Sequence, residues 1–213
     1  MLETMLDKFN SLLRALGFKK HPPLTNELDL KDFISSRAAF VSQVTLYTYV
    51  KARSGMQHVK LFENSQFLVS LKIARWHIFG TAVADLALFS TAQMVKSDAL
   101  SEDEGRQFAK RLMHSILHDY DQQDIEKSEF DAMLKRGQRR AEIADWTFIV
   151  DGAAAFQASS DAVFRWAPIA DELKNNDEEI VRNSIHLRWI GVRRDVKELI
   201  RPAEIAASIE FPK

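Results

Sequence analysis

The chain has 213 residues, of which 46% are hydrophobic and 28% charged, with a formal net charge of −1, seven glycines, five prolines and no cysteine. That length buries one proper core, and the composition is ordinary for a globular domain. The near-neutral charge gives no global pull toward nucleic acid or anionic lipid, and the lack of cysteine excludes disulfides, thiol nucleophiles and thiolate metal sites.

So few glycines and prolines suit long helices. The expected class is all-α, a single-domain helical bundle of about six helices, because apolar residues recur at helical spacing and no hairpin pattern occurs. Residues 1–21 read as an N-terminal amphipathic helix, 22–202 as the bundle and 203–213 as a C-terminal tail. No basic-then-apolar leader opens the sequence, so the cytoplasm is the expected compartment.

Within 1–16, Leu2, Leu6, Phe9, Leu13 and Leu16 fall on one face, joined by Met1, Met5 and Leu12. Gly17 is the expected stop. Such a helix can dock on protein or lie at a membrane surface. Its polar face mixes Glu3 and Asp7 with Lys8 and Arg14, so it lacks the basic bias of strong lipid binders.

A second helix is expected over 26–54, with Thr25 as N-cap and Gly55 as stop. Its core stripe is Phe33, Ile34, Ala38, Val41, Val44 and Thr48. Arg37 lies close to that stripe. Its stem can lie along apolar surface with the head in water, or it can pair with a core carboxylate such as Asp85. Residues 55–63 read as a loop, with Asn64 or Ser65 capping the third helix.

The stretch 68–95 is the longest apolar segment, and Asp85 is the only formal charge between Arg75 and Lys96. Apolar residues on all sides of the wheel mean a helix buried all round, in a core or in lipid. A mid-span aspartate costs about 2.5–3.5 kcal/mol on insertion, so a buried central helix is the expected state. Gly80, Ala84, Ala87 and Ala92 would let neighbouring helices approach closely. Asp85 must pair, hydrogen-bond or shift its pKa upward; Arg75, His77 and Arg37 are the partners within expected reach.

Ser101 and Glu104 form a capping box for a helix burying Phe108, Ala109, Leu112, Met113, Ile116 and Leu117 and ending near Tyr120. Ser128 is the next expected N-cap, opening a helix that carries Arg136, Arg139 and Arg140. These arginines are expected to pair with Glu129, Asp131, Glu142 or Asp145 one turn away. An alanine-rich helix over 152–166 comes next, joined through a kink at Gly152, and Pro168 starts a short helical turn. Asp177 is expected to cap a final helix whose core face is Val181, Ile185, Trp189, Val192, Val196, Leu199 and Ile200. The tail, with Ile205, Ile209 and Phe211, is either strapped onto the surface or ordered by a partner.

Catalytic motifs are sparse. No histidine has glutamate three positions before it, as ferritin-like dimetal sites need. The Gly-x-Ser-x-Gly elbow, the phosphate-binding loop and the dinucleotide glycine fingerprint are all missing. The stretch Ile116-Leu117-His118-Asp119, with His77 upstream, resembles the metal motif of helical phosphohydrolases of the HD class. The resemblance implies His77, His118 and Asp119 as metal ligands, with a further aspartate downstream such as Asp145, Asp151 or Asp161. Tyr120, Asp121 and Gln122 replace the glycine and lysine usual after that motif. His114 and His118 share a helical face with Lys110 and Arg111, which reads as solvated rather than metal-binding. Asp119-x-Asp121-x-x-Asp124 lacks the glycine and glutamate of a calcium loop.

The sequence therefore points first to a non-enzymatic interaction or scaffold protein without cofactor, self-associating or binding a protein partner. The N-terminal helix and the tail are its expected contact elements, the former also toward a membrane surface, and no nucleic acid is expected. The alternatives are the metal-dependent phosphohydrolase and a bundle holding an apolar ligand beside Trp76 and Trp189.

Overall fold

A computed structural model describes residues 22–211 apart from 121, 123, 124, 153 and 175. The amphipathic helix expected over 1–21, with Leu2, Leu6, Phe9, Leu13 and Leu16, lies outside the described residues.

The chain enters beside its own far end. Leu24 pairs with Ile200 in an isolated parallel bridge, its N–H donating to Leu199 O at 2.9 Å and its carbonyl accepting from Arg201 N–H at 3.0 Å. Helix α1 spans Glu27–Ser54. Its N-cap is Asn26, not Thr25: the Asn26 side chain accepts from the Asp29 N–H, while Thr25 donates to the Asp29 carboxylate. Gly55 closes α1 with φ of 52°, a left-handed conformation that glycine enters at little cost. Its core face includes Phe33, Ile34, Ala38 and Val41 as expected. Val44 is only half-buried and Thr48 exposed, and Thr45, Leu46, Tyr49 and Val50 carry the stripe onward.

The expected loop 55–63 is helical instead, a 3-10 turn followed by α2 (His58–Glu63). Tyr47 and Phe62 stack with centroids 5.5 Å apart, and Phe62 meets Phe67 edge-on. This aromatic column gives the short helix a reason to wind. Asn64 then caps α3 (Ser65–Lys96) by accepting from Phe67 N–H.

Helix α3 is the axis of the molecule. It is long and apolar enough to cross a membrane by composition, yet 83% of its most apolar window is buried inside the protein. It packs against α1, against α4 (Glu102–His118), against α5 (Lys127–Glu142) and against α7 (Gln157–Trp166). The capping box of Ser101 and Glu104 forms as expected. Helix α5 starts two residues early, behind Glu126 without a side-chain cap, so Ser128 is not the N-cap. The apolar run after it breaks off as a one-turn helix α6 (Trp146–Ile149), because the Asp145 side chain accepts from the Thr147 and Phe148 N–H groups.

A 3-10 turn at Ala154–Phe156 leads into α7, later than the expected start near Gly152. The one-turn α8 (Asp171–Lys174) precedes α9 (Glu178–Leu199). Asp177 stands at the N-cap of α9 but makes no cap hydrogen bond. Its carboxylate is taken by Arg53 and by Tyr49, whose hydroxyl donates at 3.0 Å. Six of the described helices reach ten residues or more, namely α1, α3, α4, α5, α7 and α9, and no strand is present among the described residues.

Side-chain pairs fix the directions. Arg37 meets Asp195 and Arg53 meets Asp177, so α1 and α9 run antiparallel. Asp85 meets Ser159 and Phe89 meets Phe156, so α3 and α7 are antiparallel too. Along α3 and α5, Gly80 faces Met133 and Ala84 faces Gly137, which makes these two parallel. The tail forms α10 (Pro202–Ala207) and lies on the bundle: Ile205 is buried, and Arg111 donates to Glu210 O at 2.8 Å. Of the two alternatives for the tail, the structure shows the strap.

Candidate functional site

Asp85 stands in the middle of α3 with 0% of its surface exposed. Its Oδ1 accepts from Arg140 Nη2 at 2.5 Å and its Oδ2 from the Ser159 N–H at 2.8 Å. Ser159 is the third residue of α7, whose N-cap position, Phe156, has no side-chain acceptor to offer. Asp85 therefore supplies from another helix what Ser, Thr, Asp or Asn supply at a local N-cap. Its charge also meets the positive end of the α7 macrodipole. The Ser159 hydroxyl donates to Phe156 O at 3.1 Å and accepts from Trp189 Nε1 at 3.0 Å. Four helices, α3, α5, α7 and α9, are tied at this one node.

Burial pushes the Asp85 carboxyl above the usual carboxylate range, while the Arg140 guanidinium and the Ser159 N–H pull the other way. Both oxygens have donors, so the group is held as a structural cap and ion pair.

The partners expected for Asp85 are placed elsewhere. Arg37 is buried and turns toward α9, where Nη2 lies 3.4 Å from Asp195 Oδ2; its guanidinium also sits over the Phe33 ring at 5.4 Å. Burial lowers its pKa, with Asp195 opposing. His77 is buried and stacked on Trp166, with ring centroids 3.5 Å apart and planes 9° from parallel. Its Nε2 lies 3.6 Å from Glu129 Oε2, and neither ring nitrogen makes a hydrogen bond. Burial depresses the His77 pKa; Glu129 opposes this, and Arg136 and Arg165 add to it.

His118 is exposed at the end of α4, its ring 4.2 Å from that of His114 and 5.1 Å from that of Phe130. Asp119 pairs with Lys31 of α1 at 2.6 Å. So His77 looks into the α5–α7 side of α3 while Asp119 faces α1, and Lys31 would repel a cation there. Among the described residues no group of three or more His, Asp or Glu side chains is placed to hold a metal ion. Trp76 and Trp189 are packed in aromatic contacts, Trp76 against Phe79, Phe130 and Tyr120 and Trp189 against Phe156 at 4.5 Å.

Arg140 is the functional partner that sequence reasoning misses. Its expected partners were acids one turn away on its own helix, but α5 lies alongside α3 and the buried carboxylate outcompetes them. The available signal was weak: an unpaired core acid implies a distant base, but not which one. Several large apolar side chains also stand at the surface. Ile180, Leu187 and Ile190 of α9 are 69%, 67% and 46% exposed, and Met56, Val59, Val69 and Ile73 stand out around the α1–α3 turn.

Compared with protein-family models, curated proteins and solved structures, the chain finds no match in any of the three.

Proposed function

We propose that this chain is a non-enzymatic helical interaction protein that self-associates, working in the reducing cytoplasm. The observation that carries this reading is the outward-facing apolar row Ile180, Leu187 and Ile190 on α9. Single exposed apolar residues are ordinary, but a row at helical spacing marks a contact surface. The charged residues that chemistry would need are spent on structure: Asp85 on Arg140, Asp119 on Lys31 and Arg37 on Asp195. Residues 1–20 are the second contact element, directed to a protein partner or a membrane surface by their apolar face.

The test is light scattering of the purified chain over a range of concentrations, with vesicle co-sedimentation beside it, on the full chain and a form lacking residues 2–20. The full chain is expected to grow in mass with concentration, and the shortened form to lose part of that growth or its vesicle binding. A full chain that stays monomeric and ignores vesicles would sink the reading.

A further inference from the structure

We propose that the turn joining α1 to α3 is a membrane-contact element, which seats its apolar side chains in the surface of an anionic bilayer. None of its residues belongs to the α9 row or to residues 1–20.

The apolar part comes first. Met56, in the 3-10 turn, has 95% of its surface exposed, and Val59 follows it by three positions at the start of α2. On α3, Val69 and Ile73 are exposed four positions apart, on one helical face. The rings of Tyr120, Phe130 and Trp166 reach α3 at Trp76 and His77. Before that level Gln66, Val69, Lys72 and Ile73 are exposed, so the first turns of α3 stand out at one end of the bundle. The exposure is held by a folded support. Tyr47, Phe62 and Phe67 pack against one another under the turn, and Asn64 caps α3.

The charges then choose the occupant. Between residues 51 and 75 stand Lys51, Arg53, Lys60, Lys72 and Arg75 against Glu63 alone, a net charge of +4. The whole chain carries −1, so everything outside this stretch sums to −5. Lys51 and Lys60 are exposed and make no ion pair among the described residues. Helix α8 and the start of α9 bring acids to the same end. There Asp171 pairs with Lys174, Asp177 with Arg53 and Glu178 with Arg182, while Glu172 and Glu179 stay exposed. The lipid-facing side is therefore that of α2 and the start of α3, with α9 turned away.

Apolar tips among exposed lysines suit a bilayer interface, where lysine stems follow the apolar residues inward and the ammonium groups stay at the headgroups. A negative leaflet attracts such charges over about 10 Å at moderate salt. A nucleic acid would engage the lysines but gains nothing from Met56 and Val59.

The test uses the full chain, and its lack of cysteine gives an introduced thiol no rival. Met56→Cys and, as a reference, Ile143→Cys each carry one polarity-sensitive fluorophore. Ile143 is exposed too, but it ends α5, which runs parallel to α3 and so carries it away from the turn. Vesicles of phosphatidylcholine with phosphatidylserine should shift the emission at position 56 to the blue and leave position 143 unchanged. Pure phosphatidylcholine vesicles should shift neither. In co-sedimentation, Lys51→Gln and Lys60→Gln should each weaken binding to the anionic vesicles about fivefold, and Val59→Asp should weaken it further. All these positions are exposed, and circular dichroism of each variant checks that the fold is kept.

Vesicle binding with a silent label at position 56 would overturn the inference and leave residues 1–20 as the membrane element. Equal binding to neutral vesicles, or an affinity that ignores both lysine variants, would overturn the role given to charge. Lysine-dependent capture of a DNA oligonucleotide without vesicle binding would overturn the inference in favour of nucleic acid. A chain that ignores both kinds of vesicle would overturn it too, while self-association, read by light scattering, stands or falls separately.

Discussion

At the scale of single residues, Asp85 shows what one buried charge does when every oxygen has a donor. Taking a carboxylate into a core is costly, and its pairing with Arg140 and the α7 N–H group offsets that cost rather than adding a large surplus. Removing one partner is therefore worse than never having had the pair. Arg140→Met should cost about 3 kcal/mol at neutral pH, since the carboxylate is left with the Ser159 N–H alone. Without the guanidinium the folded-state pKa of Asp85 rises further above its unfolded value. The folded variant then binds the extra proton first as pH falls, so its deficit should shrink between neutral and mildly acid pH. Urea unfolding midpoints of both proteins at the two pH values check this, and a deficit that ignores pH would mean that Arg140 does not neutralise Asp85. That Asp85 would be buried was legible from its isolation on an apolar helix. Its partner was not, because the placement of α5 beside α3 is a tertiary fact that no spacing within the chain encodes.

At the scale of elements, the small residues of α3 set how its neighbours lie. Gly80 and Ala84 stand opposite Met133 and Gly137, both pairs four residues apart, and a Cβ on Gly80 would fall 2.2 Å from Met133 Sδ. The α3–α5 contact is thus built on missing side chains, which a sequence reader can anticipate from the glycine and alanines. Gly80→Ala should cost about 1–3 kcal/mol by overpacking. Met133→Ala opens room, so the double variant should lose less than the two single losses added. A thermal-denaturation double-mutant cycle measures the coupling, and simple additivity would show that the two residues do not meet. Boundaries were less legible than contacts. Asn26, with Asp29 in reach, displaced Thr25 as cap; Asp145 broke a helix that apolar periodicity alone would have continued. Local side-chain hydrogen bonds decide such ends, and they compete over one or two positions.

At the scale of the whole molecule, α3, α5 and α7 meet around His77, and the stability of the fold carries its titration. The folded-state pKa of His77 is depressed, so as pH falls through the ordinary histidine value of about 6.5 the unfolded chain takes up a proton that the fold resists. Because the unfolded state binds more protons, stability drops as pH is lowered through that window. Melting temperatures at pH 7.5 and 5.5 should show the drop, and His77→Phe should lessen it while keeping the stack on Trp166. A slope unchanged by that substitution would place its origin elsewhere. The helical class, the central helix and the core faces of α4 and α9 could be read from periodicity because burial leaves a repeat in the chain. The helical turn at 55–63 could not, since its winding depends on Tyr47 and Phe67, brought to it from α1 and α3.

The bridge between Leu24 and Ile200 has a consequence in polymer terms. Joining two points about 175 residues apart in a flexible chain costs roughly 4–5 kcal/mol of closure entropy. Two backbone hydrogen bonds return about 1 kcal/mol each, so the bridge cannot form by its own enthalpy. It closes only when the bundle has already brought α1 and α9 side by side, and it opens as soon as they part. The two ends of the described chain therefore act as a latch whose state reports the state of everything between them.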